Sequence, residues 1–292
     1  MKTLREQVQE IVERNSSIRS KQVDLIKLGL TRSDVDVILS SFKTGKYDFS
    51  KLTFGVEIEC YNCNRMSLIS ACRSREIEVQ SQSYNHSNNK RYYKIVSDSS
   101  LTGDETNEVV SPILKGQKGM SSLKGLCSAL NEIQAKVNRS CGLHVHIGAE
   151  NISDEHFVRI IKNYKKLEKA IDSFMPESRR ENNNQYCMTL QNINLDNVQT
   201  KTDAMRVLGT RYRKVNAHAF IRHQTIEFRQ HSGTVDYDKI SNWVRFLAKL
   251  VEYSYKKEIE ECVCIEDIPF LTQSEKIYFT NRRNQLLNRA AL

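Results

Sequence analysis

Proline and glycine are scarce in this chain, three and eleven in 292 residues, and that scarcity excludes collagen-like and low-complexity classes. The hydrophobic share of 39% and charged share of 27% are those of a globular protein. No apolar run approaches the ~18 residues of a membrane span. The first ten residues are charged from the start and lack the apolar core of a signal peptide. A cytoplasmic location, with no membrane partner, is therefore expected. Cysteine is not lacking, with eight at positions 60, 63, 72, 127, 141, 187, 262 and 264. In that setting reduced thiols are expected rather than a disulfide framework. Cys60 with Cys63 and Cys72, or Cys262 with Cys264, could supply zinc ligands, but no clean second pair at the usual spacing accompanies either. Small isolated thiols are the preferred reading.

The length allows one large domain, or a catalytic domain with small appendages, and a substantial core. The net charge of +9 is unevenly spread. Residues 1–50 carry +2, residues 253–292 are neutral, and residues 51–252 carry +7. A basic central body suits anionic ligands, either nucleotide phosphates or nucleic acid.

Residues 1–48 read as a helical element. Leu25, Ile26 and Leu28 lead into Gly29, and Thr31 is placed as an N-cap for a helix through Val35, Val37, Ile38 and Leu39. Helix, glycine turn and helix also suggest a helix-turn-helix, although +2 is weak support for binding nucleic acid, and a packing or docking element is preferred. From residue 51 the periodicity changes. Phe54, Val56, Ile58 and Cys60 alternate with Gly55, Glu57 and Glu59, which predicts a strand. Residues 91–96 and 107–113 are strand-like, and 115–119 are expected to form a loop before a helix marked by Met120, Leu123, Leu126, Leu130, Ile133 and Val137. Leu143, Val145 and Ile147 alternate with two histidines in another strand. Ser153 is a candidate cap for a helix through Phe174. Residues 177–203 read as a loop or lid, Ile226 and Phe228 mark a strand, and Ile240 to Val251 a strong helix. The tail from 253 is expected to be helical around 274–287. The class is α+β, with a helical element at 1–48, a catalytic domain at 49–252 and a helical extension at 253–292.

Three of these strands pair an apolar face with an ionisable one: Glu57 with Glu59, His144 with His146, and Glu227 with Arg229. Residues i and i+2 project from one side of a strand. Two carboxylates so placed repel, and burying them without a counter-charge is costly. A divalent metal held by oxygens and imidazole would supply that charge, and Glu108 is a further acid on a neighbouring strand. The plainer reading, that each pair simply faces water on an antiparallel sheet, holds for any one pair and weakens for three together.

Six short segments carry a resemblance. They are Phe-Gly-Val-Glu-Ile-Glu at 54–59, Glu-Val-Val-Ser-Pro at 108–112, Cys-Gly-Leu-His-Val-His-Ile-Gly at 141–148, Pro-x-Ser-Arg at 176–179, Arg-Tyr-x-x-x-Asn at 211–216 and Thr-Ile-Glu-Phe-Arg-Gln at 225–230. In this order they resemble the amidoligase family, carboxylate–amine ligases related to glutamate–cysteine ligase and glutamine synthetase. Asp98-Ser99-Ser100 departs from the expected Asp-Gly-Ser turn. The resemblance implies a glutamine-synthetase-like curved, mainly antiparallel sheet backed by helices, binding ATP and two or three Mg²⁺ or Mn²⁺ ions. By the same resemblance Glu57, His144 and Glu227 ligate one metal, and Glu59 and Glu108 another. His146, Arg179 and Arg229 contact phosphates, Arg211 the nucleotide or substrate, and Asp98 the incoming amine or a metal-bound water. The implied reaction phosphorylates a small-molecule or peptide carboxylate with ATP, and an amine then attacks the acyl phosphate. The segment 177–187 is a candidate cover for that site. Residues 115–119 are not a phosphate-binding loop, since no Gly-Lys-Ser/Thr ends them. Two other readings are a zinc hydrolase built on His144 and His146, and a non-catalytic adaptor or nucleic-acid-binding protein using residues 1–48.

Overall fold

The structure is a computed structural model that describes residues 4–13, 18–32, 34–35, 52–83 and 91–290. At the start, α1 (Leu4–Glu13) and α2 (Ile18–Lys27) bury Leu25, which packs with Val35, Val8, Ile11 and Leu30 in a small cluster of its own. Gly29, at φ 88°, ends α2 in the left-handed conformation that glycine tolerates. Thr31 caps as expected: its hydroxyl accepts from Asp34 N at 3.2 Å while Asp34 Oδ2 accepts from Thr31 N at 3.0 Å. The helix anticipated through Val37, Ile38 and Leu39 lies outside the described residues.

The main body is α+β. Among the described residues its sheet has eight strands: β1 (Thr53–Cys60), β2 (Val79–Ser81), β3 (Tyr93–Val96), β4 (Asn107–Val110), β5 (Leu114–Lys115), β6 (Gly142–Gly148), β7 (Val215–Asn216) and β8 (Thr225–Ser232). Their spatial order is β2-β3-β4-β1-β6-β8-β7, with β5 on β1. Only the β2–β3 pairing is parallel. The period-2 pattern read from sequence decides the faces. Phe54, Val56, Ile58 and Cys60 of β1 join Leu143, Val145 and Ile147 of β6 and Ile226 and Phe228 of β8 in one core. Helices supply the other half of it: α3 (Arg65–Arg73), α4 (Gly116–Glu132), α5 (Asp154–Ser173) and α8 (Tyr237–Tyr253). Ser153 caps α5 by accepting from His156 N, and Asp236 caps α8 by accepting from the amides of Asp238 and Lys239. Two shorter helices, α6 (Lys201–Leu208) and α7 (Ala219–His223), lie between α5 and β8 in the chain. From the tail, α9 (Gln273–Ala290) sends Phe279 to within 4.6 Å of the Phe174 ring, and Ile265, Ile268 and Phe270 enter the same core. Among the described residues no helix is long and apolar enough to cross a membrane.

Two expectations are corrected. Residues 115–119 are not a loop: Lys115 pairs with Thr53 in β5, and α4 begins at Gly116. Gly119 serves packing, since a Cβ there would lie 2.9 Å from that of Leu114, and Gly116 turns the chain into the helix at φ 50°. That helix also stops at Glu132, so Val137 packs on the core from beyond its end.

A bulge in the β6–β8 ladder lies between Leu143 and Val145. It lets two consecutive residues of β8 turn toward the helices. Gln230 accepts from the Tyr164 hydroxyl of α5, and the His231 ring lies 5.6 Å from Trp243 of α8. Burial, with Arg282 close by, holds His231 well below the ordinary histidine range, so it folds neutral. The unfolded chain takes up a proton below about pH 6.5 that the native state refuses. Stability present above that pH is lost as the pH falls. His231→Gln is expected to flatten the fall of melting temperature between about pH 6.5 and 5, and an unchanged slope would show that His231 does not carry it.

Candidate functional site

The face of the sheet opposite the core carries the ionisable residues, and strand register brings them together. Glu59 pairs with Glu108 across β1–β4, and Glu57 with His144 across β1–β6. His146 pairs with Glu227 across β6–β8, and Asn216 with Glu227 across β7–β8. One band of acids and imidazoles therefore crosses four adjacent strands, and Asn216 extends it to a fifth. His144 Nδ1 lies 3.0 Å from Glu57 Oε2 and 3.8 Å from Glu227 Oε1, and its Nε2 is 3.6 Å from Glu59 Oε1. His146 Nε2 lies 3.3 Å from Glu57 Oε1 without hydrogen-bond alignment, while its Nδ1 meets the Thr225 hydroxyl at 2.8 Å. Gly142 N donates to Glu59 Oε2. A Cβ at Gly142 would come within 3.0 Å of His144 Nε2, which accounts for the glycine two residues before that histidine.

Cations enclose the band on the β8 side. Arg229 Nη1 donates to Glu227 Oε1 at 2.5 Å, and Asn216 Nδ2 donates to Glu227 Oε2 at 2.6 Å. Arg179, buried in the short turn Glu177–Arg179, donates from Nη2 to Cys141 O at 2.6 Å. Its Nε has no hydrogen-bond partner among the described residues. Arg211 stacks over Tyr212 at 5.0 Å, and Tyr212 meets Tyr186 edge to face at 5.4 Å. All ten residues singled out in the sequence line one cavity of about 1640 Å³: Glu57, Glu59, Asp98, Glu108, His144, His146, Arg179, Arg211, Glu227 and Arg229. That exceeds the ~300–1,000 Å³ usual for one drug-sized ligand. There is room for more than one reactant.

The protonation pattern follows from crowding like charges beside a few cations. Burial pushes the Glu57 carboxyl up, but His146 and His144 outweigh it and hold the group well below the carboxylate range. Burial also opposes ionisation of Glu227, which Arg229 and then His146 hold down. Burial disfavours protonated His146, yet Glu57 beside it raises its affinity for the proton. Glu108 goes the other way: burial, then Glu57, Glu59 and Asp98, push it well above its ordinary value. Three groups have ligand atoms within 4.8 Å of one another: Glu57–Glu108–His144, Glu57–His146–Glu227 and Glu59–Asp98–Glu108. In these groups His146 stands with Glu57 and Glu227 where His144 was expected, His144 stands with Glu57 and Glu108, and Asp98 joins the Glu59–Glu108 pair. No cysteine enters any such group among the described residues, and all eight are free thiols.

Some cavity residues escaped the sequence reading. Lys94 of β3 is buried in the wall, and burial lowers its proton affinity. A lysine inside the apolar run 93–96 was the available signal. Asn216 and Thr225 stood in quoted motifs without a role, and Tyr186 lay in the candidate cover without one. Asp98, in the turn that departs from the expected sequence, still closes it, accepting from Ser100 N at 2.7 Å.

A family profile described as "Putative amidoligase enzyme" matches residues 50–251. The chain belongs to the amidoligase family. Membership assigns it a ligase-type function. No curated protein matches this amidoligase. Among solved structures it is similar to one titled "Crystal structure of novel glutamine synthase homolog", at 10% identity and a TM-score of 0.40, over 86% of this chain and 67% of that one. A likeness that distant carries no argument about the reaction.

Proposed function

We propose that this amidoligase joins a carboxylic acid to an amine at the expense of ATP, through an acyl phosphate. The observation that carries the reading is the placement of Glu57, Glu59, Glu108, His144 and Glu227 against Arg179 and Arg229 in one deep cavity. The residues fit divalent cations. Burial and then its acidic neighbours push the Glu108 carboxyl well above its ordinary value, a crowding that a cation would relieve, and oxygen-rich groups with one imidazole suit Mg²⁺ or Mn²⁺. Glu57, Glu227 and one or both histidines would hold one ion, and Glu59, Glu108 and Asp98 another. When bound, such ions neutralise phosphate oxygens as charge moves between them.

The chain's own groups supply the rest. Arg229, kept cationic by Glu227 and Glu57 against the effect of burial, faces the transferred phosphoryl group with Arg179. Arg211, stacked on Tyr212, contacts the nucleotide or substrate. Asp98 faces the ammonium of the amine, small molecule or peptide, before it attacks. The test is Mg²⁺-dependent ATP consumption across a panel of acids and amines, with mass spectrometry of the products. A new amide with ADP and phosphate is expected. AMP and pyrophosphate would overturn the acyl-phosphate route, and amide formed without nucleotide consumption would overturn the ATP dependence.

A further inference from the structure

Behind the cationic wall lies a charged cluster that touches none of the band residues through its side chains. Lys214, fully buried one residue before β7, places Nζ 2.7 Å from Glu168 Oε1 and 2.7 Å from Asp172 Oδ1. The two acids stand one turn apart on α5, on the same face. Each also holds the loop after the Glu177–Arg179 turn. Glu168 accepts from Leu190 N at 2.9 Å and from the Thr189 hydroxyl, and Asp172 accepts from Glu181 N at 3.1 Å. Gln230 adds the sheet, its side-chain amide donating to Asp172 and reaching Arg179 O at 3.4 Å. The main chain of Lys214 completes the knot: its N donates to Met188 O, and its O accepts from Arg229 N, both at 2.9 Å.

We propose that the Lys214 ammonium, clamped between Glu168 and Asp172, is the positioning group that fixes Arg179 and Arg229 in the cavity wall. The ammonium holds the two acids of α5 that receive both ends of residues 181–190 and, through Gln230, reach the Arg179 carbonyl, and it anchors the residue whose main-chain oxygen accepts from the Arg229 amide. The segment 181–190, read from sequence as part of a cover, is thereby a fastened wall. Asn182 Oδ1 on Thr189 N at 3.0 Å and Asn183 Nδ2 on Glu177 O at 3.0 Å brace it from within. Net stability is a weak reason for such a cluster, because desolvating three charges cancels much of their attraction and apolar packing would serve as well. Apolar side chains, however, offer no acceptors to the amides of Glu181 and Leu190 and would leave the arginines unaimed. Placing phosphate against those arginines rests on the ligase reading; the clamp itself does not.

Lys214→Met alone leaves two carboxylates facing each other in the core and is expected to destabilise the fold severely. The informative protein is the full chain carrying Lys214→Met with Asp172→Asn, which removes one charge of each sign and keeps an oxygen for the Glu181 amide, while Gln230 keeps its contact with Arg179 O. Hydrogen exchange is expected to quicken about tenfold or more at Glu181, Leu190 and Arg229 while β1 and β6 stay protected. Calorimetry with Mg–ATP is expected to show binding weakened about tenfold or more. Parent-like exchange at those amides overturns the clamp. Looser amides with Mg–ATP affinity within about twofold of the parent reduce the cluster to a structural tie and overturn the positioning role. Should the parent itself fail to bind Mg–ATP, the ligase reading falls, and the Arg229 and Glu181 amides alone decide the clamp.

Discussion

Glu227→Gln is expected to leave a folded protein whose ATP turnover has dropped by about 10³-fold or more. Glu227 is the acid with the most demands on it. It accepts from Asn216 and Arg229, lies 3.8 Å from His144, and shares a candidate metal group with Glu57 and His146. Glutamine keeps the volume and an oxygen for Asn216, so the substitution removes the charge and the hydrogen bond from Arg229 Nη1. Arg229 retains the Tyr186 carbonyl at 3.3 Å and the field of Glu57, which limits the loss of stability. Glu227→Ala and Glu57→Ala are expected to fall at least as far in turnover. Alanine at 227 also strands the Asn216 amide, a further cost of about 1–3 kcal/mol. Melting curves read beside Mg²⁺-dependent ATP hydrolysis separate the two effects. Turnover at the parent rate in a folded Gln variant would remove Glu227 from the metal site.

That the site could be anticipated at all comes from strand geometry. Glu57 and Glu59, or His144 and His146, must share a face if they share a strand, and the flanking Val56, Ile58, Val145 and Ile147 declare the strand. Nothing local says that β4 lies on one side of β1 and β6 on the other; the ordered motifs carried that step. The parts not anticipated depend on partners far along the chain. Lys214 meets acids more than forty residues earlier, and an isolated lysine in a basic stretch reads as surface. Gly119 reads as part of a loop because close packing, here against Leu114, and a turn use the same residue. The bulge in β8 breaks strict alternation, so no period-2 count could place both Gln230 and His231 on the helix side.

Glu108→Gln is expected to raise the melting temperature of the metal-free protein at pH 8 by about 2–4 °C while abolishing turnover. Glu108 faces Glu59 across the ladder and shares candidate groups with Glu57 and Asp98. Burial and these neighbours raise its native pKa far above that of a free carboxyl. The sign follows from proton counting. Above about pH 4.3 the unfolded chain gives up this proton and the native state keeps it, so the native state binds more protons. Stability is therefore lost as the pH climbs from there toward the raised native value, and a glutamine, neutral throughout, does not lose it. A metal held there would reverse the balance. A divalent cation would displace the proton and discharge the repulsion, so Mn²⁺ should stabilise the parent more at pH 8 than at pH 6, and the glutamine variant far less at either. Differential scanning fluorimetry in chelator and in Mn²⁺ at the two pH values reads all of this. Equal stabilisation of parent and variant by Mn²⁺ would take Glu108 out of the ligand set. A variant that melts below the parent in chelator at pH 8 would mean that repulsion among these acids is not what the native state is paying to hold the site together.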